Sequence, residues 1–258
     1  MLNVITPTNR LLLAIGNSRL HWAHWQNNTL QETWDTPHLS KAVIGDRLPD
    51  DLLPASLKHQ KLTQIPLIIA SVVTSQTQLW QNYSEIKEIT LTDIQLQNLY
   101  PTLGIDRALA LWGGSKTYGY PCLVIDGGTA LTFTGVDSQQ QLVGGAILPG
   151  LRIQFQTLNR ATSALPEITL PDHLPPRWAT NTQEAIASGI IYSAIASIQN
   201  YIQDWQQRFP DSKVILTGGD GKILAHYLKL QSPQLEIEVD PNLIFHGMNL
   251  CLNETNLN

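Results

Sequence analysis

The sequence predicts an α/β protein built from two similar halves, and two observations support this prediction. An apolar strand that runs into a glycine turn and then into an alternating strand occurs at residues 11–25 and again at residues 121–135. Segments with helical spacing of apolar residues follow both hairpins. This pattern is typical of a duplicated α/β domain. With 258 residues, the chain is long enough to form two domains with cores of their own.

The first half begins with two predicted strands, residues 11–15 and 20–25, paired around a Gly-Asn-Ser turn. A third, shorter strand is expected near residues 30–34. Residues 66–73 form a continuous apolar run with β-branched members, which favours a strand buried on both faces. The spacing of Ala, Leu and Trp then predicts a helix over residues 105–116.

The second half repeats the strand–turn–strand pattern and adds a third strand over residues 141–148. A long helix should run from Thr182 to about Phe209, with Asn181 or Thr182 as its cap. A strand at 213–217, a helix and a last strand at 235–239 complete the half. We place the domain boundary near Gly114, giving domains 1–114 and 115–258, and we expect a cleft between them.

Composition favours small-molecule chemistry. The net charge is −5 and no Lys/Arg block occurs, so we expect neither a nucleic-acid nor a membrane partner. Cys122 and Cys251 lie in apolar stretches without metal or redox spacing, which predicts two buried thiols and no disulfide. The apolar runs are too short for a spanning helix or a signal peptide, so a cytoplasmic protein is expected.

The two glycine turns are candidates for phosphate binding. A glycine lacks Cβ, so backbone N–H groups can approach an anion closely, and Asn17, Ser18 and Thr129 add side-chain donors. Ordinary turn chemistry is the alternative for either turn alone. His21 and His24 are three residues apart on a strand, so they point to opposite faces and should not bind a metal jointly.

Two acids stand at the starts or ends of elements. Asp106 beside Arg107 at a helix start could be a base next to an anion clamp, or a first-turn residue that complements the helix dipole. Asp126 ends an apolar strand before two glycines, at the edge of a sheet where α/β proteins bind ligands.

Eight motifs occur in an order that resembles type III pantothenate kinases, over about residues 11–250. They are Ala14-Ile-Gly-Asn-Ser18, Ala70-Ser-Val-Val73, Tyr100 with Gly104-Ile-Asp-Arg107, Asp126-Gly-Gly-Thr-Ala130, Gly144-Gly-Ala-Ile-Leu-Pro-Gly150, Asn181-Thr182 with Ser188-Gly189, Thr217-Gly-Gly219 and Asp240-Pro-Asn-Leu243. The resemblance implies two ribonuclease-H-like domains of the acetate and sugar kinase/Hsp70/actin fold, usually in a homodimer. It also implies transfer of the ATP γ-phosphoryl group to pantothenate, the first step of coenzyme A biosynthesis.

The resemblance implies a role for each matching residue. Asp106 would accept the proton of the pantothenate hydroxyl, and Asp126 would bind a monovalent cation, potassium or ammonium, used besides magnesium. Pantothenate would be held by Tyr100, Gly104, Ile105 and Arg107, and by Thr182 from the neighbouring subunit. ATP would be held by Ala14, Ile15, Gly16, Asn17, Ser18, Arg19, Leu20, His21 and Thr129.

Ala14 departs from the family pattern, which usually has Asp there, and His21 stands where the family often has Lys. Losing a carboxylate should weaken metal binding, because hard cations prefer oxygen ligands. Either Asp126 and water complete the magnesium shell, or the chain is a pantothenate- or nucleotide-binding regulatory module without turnover. Another kinase or phosphatase of the same fold, and a purely structural role, are further alternatives.

Overall fold

The computed structural model describes residues 9–58 and 65–253, and these fall into two compact units. The first unit takes the described residues up to Gln95, Tyr100–Leu109 and those from Ile244 onward. The second takes Leu96–Leu99 and Ala110–Leu243. The chain therefore leaves the first unit and returns to it with its last helix.

The first unit is built on a five-stranded sheet in the order β3-β2-β1-β5-β7. Its strands are β1 (Asn9–Ile15), β2 (Leu20–Gln26), β3 (Thr29–Thr36), β5 (Leu67–Ser71) and β7 (Ile86–Glu88). β1, β2 and β3 are antiparallel neighbours, whereas β5 is parallel to both β1 and β7. Two short parallel strands, β4 (Ile44–Gly45) and β6 (Asn82–Tyr83), pair separately.

The core on one face of this sheet is rich in tryptophan. The Trp22 ring is fully buried, stacks on Trp34 at 5.8 Å and meets Trp80 edge-on at 5.6 Å. Trp22 Nε1 donates to the Thr36 hydroxyl at 2.9 Å, so its one polar atom is satisfied inside the core. The short helices α1 (Ala55–Lys58) and α2 (Thr74–Thr77) lie in the connections of this unit.

The second unit has a five-stranded sheet in the order β10-β9-β8-β11-β12. Its strands are β8 (Cys122–Gly127), β9 (Ala130–Val136), β10 (Leu142–Pro149), β11 (Lys213–Thr217) and β12 (Glu238–Val239). The first three are antiparallel neighbours, and β11 is parallel to β8 and β12. Numbered within its own unit, each sheet has the order 3-2-1-4-5 with the same directions, which confirms the two similar halves.

Five longer helices complete the fold of residues 9–58 and 65–253. They are α3 (Ile105–Tyr118), α4 (Leu151–Ala161), α5 (Thr182–Arg208), α6 (Gly221–Gln231) and α7 (Leu243–Asn253). Within the described part of the chain, α5 alone has the length and apolar composition to cross a bilayer. Its isoleucines, however, pack into the core of the second unit, as in the core helix of a globular protein.

The predicted elements are largely confirmed. The Asn181 side chain caps α5 by accepting a hydrogen bond from the Glu184 N–H at 3.0 Å. β3 is longer than expected, with eight residues, whereas the last strand has two residues instead of five. Helices α4 and α7 were not predicted. Cys122 and Cys251 are both buried, as expected.

Candidate active site

The first glycine turn, residues 16–19, joins β1 to β2 and is open above Gly16. The Gly16 N–H donates to the Arg19 carbonyl at 3.1 Å, which closes the turn. A Cβ added at Gly16 would meet only that carbonyl oxygen within 4 Å, at 3.7 Å. The protein itself therefore leaves room for a side chain at Gly16, and this free space lets a ligand approach the backbone.

Val72 connects this turn to the start of α3. Its N–H donates to the Ile15 carbonyl at 3.1 Å, so the chain ends of the parallel strands β1 and β5 are hydrogen-bonded at one sheet edge. Its Cγ1 lies 3.9 Å from the position that a Cβ on Gly104 would occupy. The first glycine turn and the N-terminus of α3 thus lie on either side of Val72. The carboxyl ends of parallel strands are where α/β proteins bind ligands.

Asp106 occupies the first turn of α3, and its carboxylate folds back over Gly104. Asp106 Oδ1 accepts a hydrogen bond from the Arg107 N–H at 2.8 Å. The same oxygen stands only 2.5 Å from where a Gly104 Cβ would be, so a side chain at 104 would displace the carboxylate. Burial raises the pKa of Asp106, and the Arg107 N–H and guanidinium oppose that rise.

Arg107 and Tyr100 lie together on the same side of the first unit. The Arg107 side chain is buried, and its Nη1 donates to the Tyr100 hydroxyl at 3.1 Å. Tyr100 itself is 40% exposed, so the pair offers polar atoms at the surface beside Asp106. A buried guanidinium with fixed donors is suited to hold an anionic or hydroxylated ligand.

Asp35 forms a cluster with Arg19 and His21 that the sequence did not indicate. Its two carboxylate oxygens accept from Arg19 Nη1 and His21 Nδ1, both at 2.6 Å. The His21 ring also packs on Phe245 at 4.6 Å between centroids. Burial lowers the pKa of His21, although the Asp35 carboxylate acts against that. The only signal available was strand pairing, since His21 lies opposite Asp35 in the register.

Ala14 lies in the same row of the sheet, between His21 on β2 and Ala70 on β5. Its side chain is buried, as are those of Ile15, Leu20 and Ile105. Of these four predicted site residues, only main-chain atoms can therefore reach a ligand without rearrangement of the core.

In the second unit, Asp126 is the next-to-last residue of β8, as Ala14 is the next-to-last residue of β1. It pairs with Thr217 of β11 and Thr132 of β9. Gly218 has φ +84°, and a Cβ there would stand 2.1 Å from Asp126 Oδ1. The carboxylate thus lies directly over the Gly218 backbone at the ends of two parallel strands.

The remaining two predicted residues also belong to the second unit. Thr129, exposed in the turn between β8 and β9, accepts a backbone hydrogen bond from Gly150 at 3.0 Å. Thr182 is the exposed first residue of α5. Among residues 9–58 and 65–253, no group of three or more His, Cys, Asp or Glu side chains is arranged to hold a metal ion.

Comparison with known proteins identifies relatives over most of the chain. The family model described as type III pantothenate kinase matches residues 10–204. A type III pantothenate kinase from Nostoc sp. is 47% identical over 254 residues, covering 92% of each chain. One from Synechocystis sp. is 49% identical over 238 residues, covering 92% of this chain and 87% of the relative.

Solved structures support the fold. A protein from Campylobacter jejuni described as a Baf family transcriptional activator aligns with a TM-score of 0.64 at 23% identity, covering 95% of this chain and 98% of its own. A structure from Sinorhizobium meliloti described as a 2-dehydro-3-deoxygalactonokinase aligns with a TM-score of 0.56 at 12% identity, covering 95% and 99%. At these identities the likeness concerns the actin/Hsp70/sugar kinase-like fold alone.

Proposed function

This chain belongs to the type III pantothenate kinase family, and on that premise we propose which of its residues carry out the reaction. The enzyme transfers the γ-phosphoryl group of ATP to pantothenate, the first step of coenzyme A biosynthesis. Its relatives bear the kinase name, and nothing favours a regulatory module without turnover. The position of Asp106 at the start of α3, which Val72 links to the end of β1 before the first glycine turn, is the observation from which the assignment starts.

We propose that Asp106 accepts the proton of the attacking hydroxyl. As the oxygen of the primary alcohol forms its bond to the γ-phosphorus, the bond from that phosphorus to the β–γ bridging oxygen breaks and ADP leaves. The alcohol proton passes to Asp106. Phosphoryl transfer needs little covalent help from a protein, so alignment of the hydroxyl is the main contribution. A raised pKa makes Asp106 a better acceptor than an ordinary exposed carboxylate.

Pantothenate would be held around this acid by Tyr100, Gly104, Ile105 and Arg107. The hydrogen bond from Arg107 to Tyr100 supports this assignment, because it fixes both side chains beside Asp106. Gly104 contributes by leaving the space that the Asp106 carboxylate fills.

The phosphates of ATP would be held by the first glycine turn and by Thr129. Because the Gly16 N–H is bonded to Arg19, the donors in this turn would be groups of Asn17 and Ser18. Asp126 offers a carboxylate oxygen for the monovalent cation, potassium or ammonium. Magnesium bound with ATP would neutralise charge on the transferred group. Ala14 supplies no carboxylate for it.

We propose a homodimer in which Thr182 reaches pantothenate of the neighbouring subunit. One face of α5 is exposed and carries small side chains at helical spacing, namely Thr182, Ala185, Gly189, Ser193 and Ala196. Small side chains let two helices approach closely. The dimer would be cytoplasmic, with no nucleic-acid or membrane partner, and the division of the chain at Gly114 stays a prediction.

The kinase assignment is tested by ADP release from ATP with pantothenate and magnesium, with and without potassium or ammonium. We expect turnover that depends on pantothenate and is stimulated by the cation. Asp106→Asn should retain pantothenate binding and lose most turnover, because its amide cannot accept the proton. Near-normal turnover in this variant would remove Asp106 from the mechanism.

The dimer is tested separately by Gly189→Leu and Gly189→Ala. No atom lies within 4 Å of a Cβ at this position, so both variants should fold. Sedimentation velocity should show monomers for the leucine variant and dimers for the alanine variant, with activity lost in the former. A leucine variant that sediments like the wild type would contradict this interface.

A further inference from the structure

The carbonyl of Gly16 is bonded by a residue outside the turn. His38 Nε2 lies 2.8 Å from the Gly16 carbonyl oxygen. A carbonyl oxygen can only accept, so Nε2 carries the proton and donates it. The Gly16 N–H is already bonded to the Arg19 carbonyl at 3.1 Å. Both backbone polar groups of this glycine are therefore held by the protein.

The residue after His38, Leu39, is held by Gln76 of α2. Gln76 Oε1 accepts from the Leu39 N–H at 2.8 Å, and Gln76 Nε2 donates to the Leu39 carbonyl at 3.2 Å. The amide thus pairs with the backbone of the residue that follows His38, as a neighbouring strand would. Gln76 follows β5, whereas His38 follows β3, so this connection crosses the end of the sheet.

We infer that His38 is a positioning residue that fixes the first glycine turn in the conformation that binds ATP. This inference depends on the proposed role of that turn in holding phosphate. Gly16 has open space around it and no steric lock of its own, and a glycine loses much conformational freedom when it is ordered. The bond from His38 adds a second restraint to the bond between Gly16 and Arg19 before ATP arrives, which lowers the entropic cost of binding.

The test compares His38→Ala with His38→Gln. Loss of one neutral hydrogen bond should raise the KM for ATP about three- to tenfold in the alanine variant. The KM for pantothenate should stay unchanged. Glutamine can present a donor near the position of Nε2, so His38→Gln should recover most of the ATP affinity. Gln76→Glu, which loses the donor to the Leu39 carbonyl, should shift the KM for ATP in the same direction.

Two further variants separate the possible failures. His173→Ala is the matched control, because His173 is exposed, contacts Asp172 and lies in the second unit. Asn17→Ala tests the turn itself. If Asn17→Ala raises the KM for ATP and His38→Ala does not, the role of His38 is overturned and the turn assignment stands. If neither variant changes the KM for ATP, both the role of His38 and the assignment of the turn are overturned. An equal rise of both KM values with a lower melting temperature would also overturn the inference.

Discussion

Three glycines around the proposed site are required for different physical reasons. At Gly16 the space for a Cβ is open, at Gly104 it is filled by the Asp106 carboxylate, and at Gly218 the backbone has φ +84° with Asp126 above it. The last two are therefore explained by the protein itself. At Gly16 no contact within the protein excludes a side chain, so the proposed phosphate site is the reason we give for this glycine, and this difference leads to opposite expectations for stability and activity.

Gly16→Ala should fold normally and bind ATP poorly. Alanine fits without a clash, and replacing glycine where the backbone allows it stabilises a protein by about 0.4–1 kcal/mol through the unfolded state. The methyl group would keep phosphate from the turn, so we expect the KM for ATP to rise about tenfold or more. Thermal unfolding and steady-state kinetics measure the two effects.

Gly135→Ala is the control for this variant. A Cβ at Gly135 would stand 2.4 Å from the Trp205 ring, so overpacking should lower stability by about 1–3 kcal/mol while the KM for ATP stays the same. A Gly16→Ala protein that is unstable and binds ATP normally would contradict the assignment.

Gly104→Ala should reduce turnover with little loss of stability. The new methyl group must push away Asp106 Oδ1, which is the end of a side chain and can move. Misplacing a reacting group by about 1 Å costs about a hundredfold in rate, so kcat should fall by that order. The melting temperature should change little. Unchanged kcat would show that Asp106 need not occupy its observed position.

Asp106→Asn should be more stable than the wild type at neutral pH. Burial raises the pKa of Asp106 in the folded state, so the wild type loses stability as the pH rises from the usual Asp pKa of about 3.9 to the higher folded value. The neutral amide does not titrate. Urea unfolding between pH 4 and pH 8 should therefore show an advantage of the variant that grows with pH. An advantage that shrinks with rising pH would reverse the assigned shift.

The sequence predicted those site residues whose neighbours in the structure are also close to them in the chain. Asp106, Gly104 and Arg107 are adjacent in the chain, and their grouping follows from a helix start. Asp35 and His38 were missed because their partners are distant in the chain. Strand register brings Asp35 to His21, 14 residues away, and a loop after β3 brings His38 to Gly16, 22 residues away.

Among the elements, α5 illustrates how a local signal defines a helix. Asn181 accepts from the Glu184 N–H at 3.0 Å, and its own amide donates to the Glu184 carboxylate at 2.8 Å. This reciprocal cap is visible as Asn followed by Glu three residues later. α4 has no such signal, since its N-cap Gly150 makes no side-chain hydrogen bond and no acid stands in its first turn. Without a cap signal, this helix was not predicted.

Asn181→Ala should destabilise α5 and move Thr182. Loss of a helix cap costs about 1 kcal/mol in the free energy of unfolding, measurable by urea titration. If Thr182 contacts pantothenate as proposed, the KM for pantothenate should rise as well. Asn200→Ala, an exposed position inside the same helix, should change neither quantity. A cap variant with wild-type stability would show that the observed hydrogen bonds contribute little.

For the whole molecule, the sequence predicted the duplication because the strand–turn–strand pattern is itself repeated. The structure agrees with this prediction, because both sheets have the same strand order. The return of the chain to the first unit could not be predicted. Contacts of α7 are long-range, such as the Phe245 ring on His21 and the 2.6 Å hydrogen bond from Arg10 to Asn249.

Gly247→Ala should weaken the packing of α7 against Leu109 and lower the stability of the molecule. A Cβ on Gly247 would stand 2.2 Å from the Leu109 carbonyl oxygen, and a backbone atom cannot easily move away. We expect a loss of about 1–3 kcal/mol, measured by thermal unfolding. Gly189→Ala is the matched control, since it is also a helical glycine and has nothing within 4 Å. Equal effects of the two substitutions would show that α7 is not tightly packed.

The return of α7 also sets an order of events during synthesis. A ribosome completes residues 110–243 before it reaches α7, so the second unit has its whole chain first. At about 5–20 residues per second, translation of residues 110–243 alone takes about 7–27 s, and the strands made earliest are without their last helix for at least that time. The part of the enzyme that is translated first is therefore the part that finishes folding last.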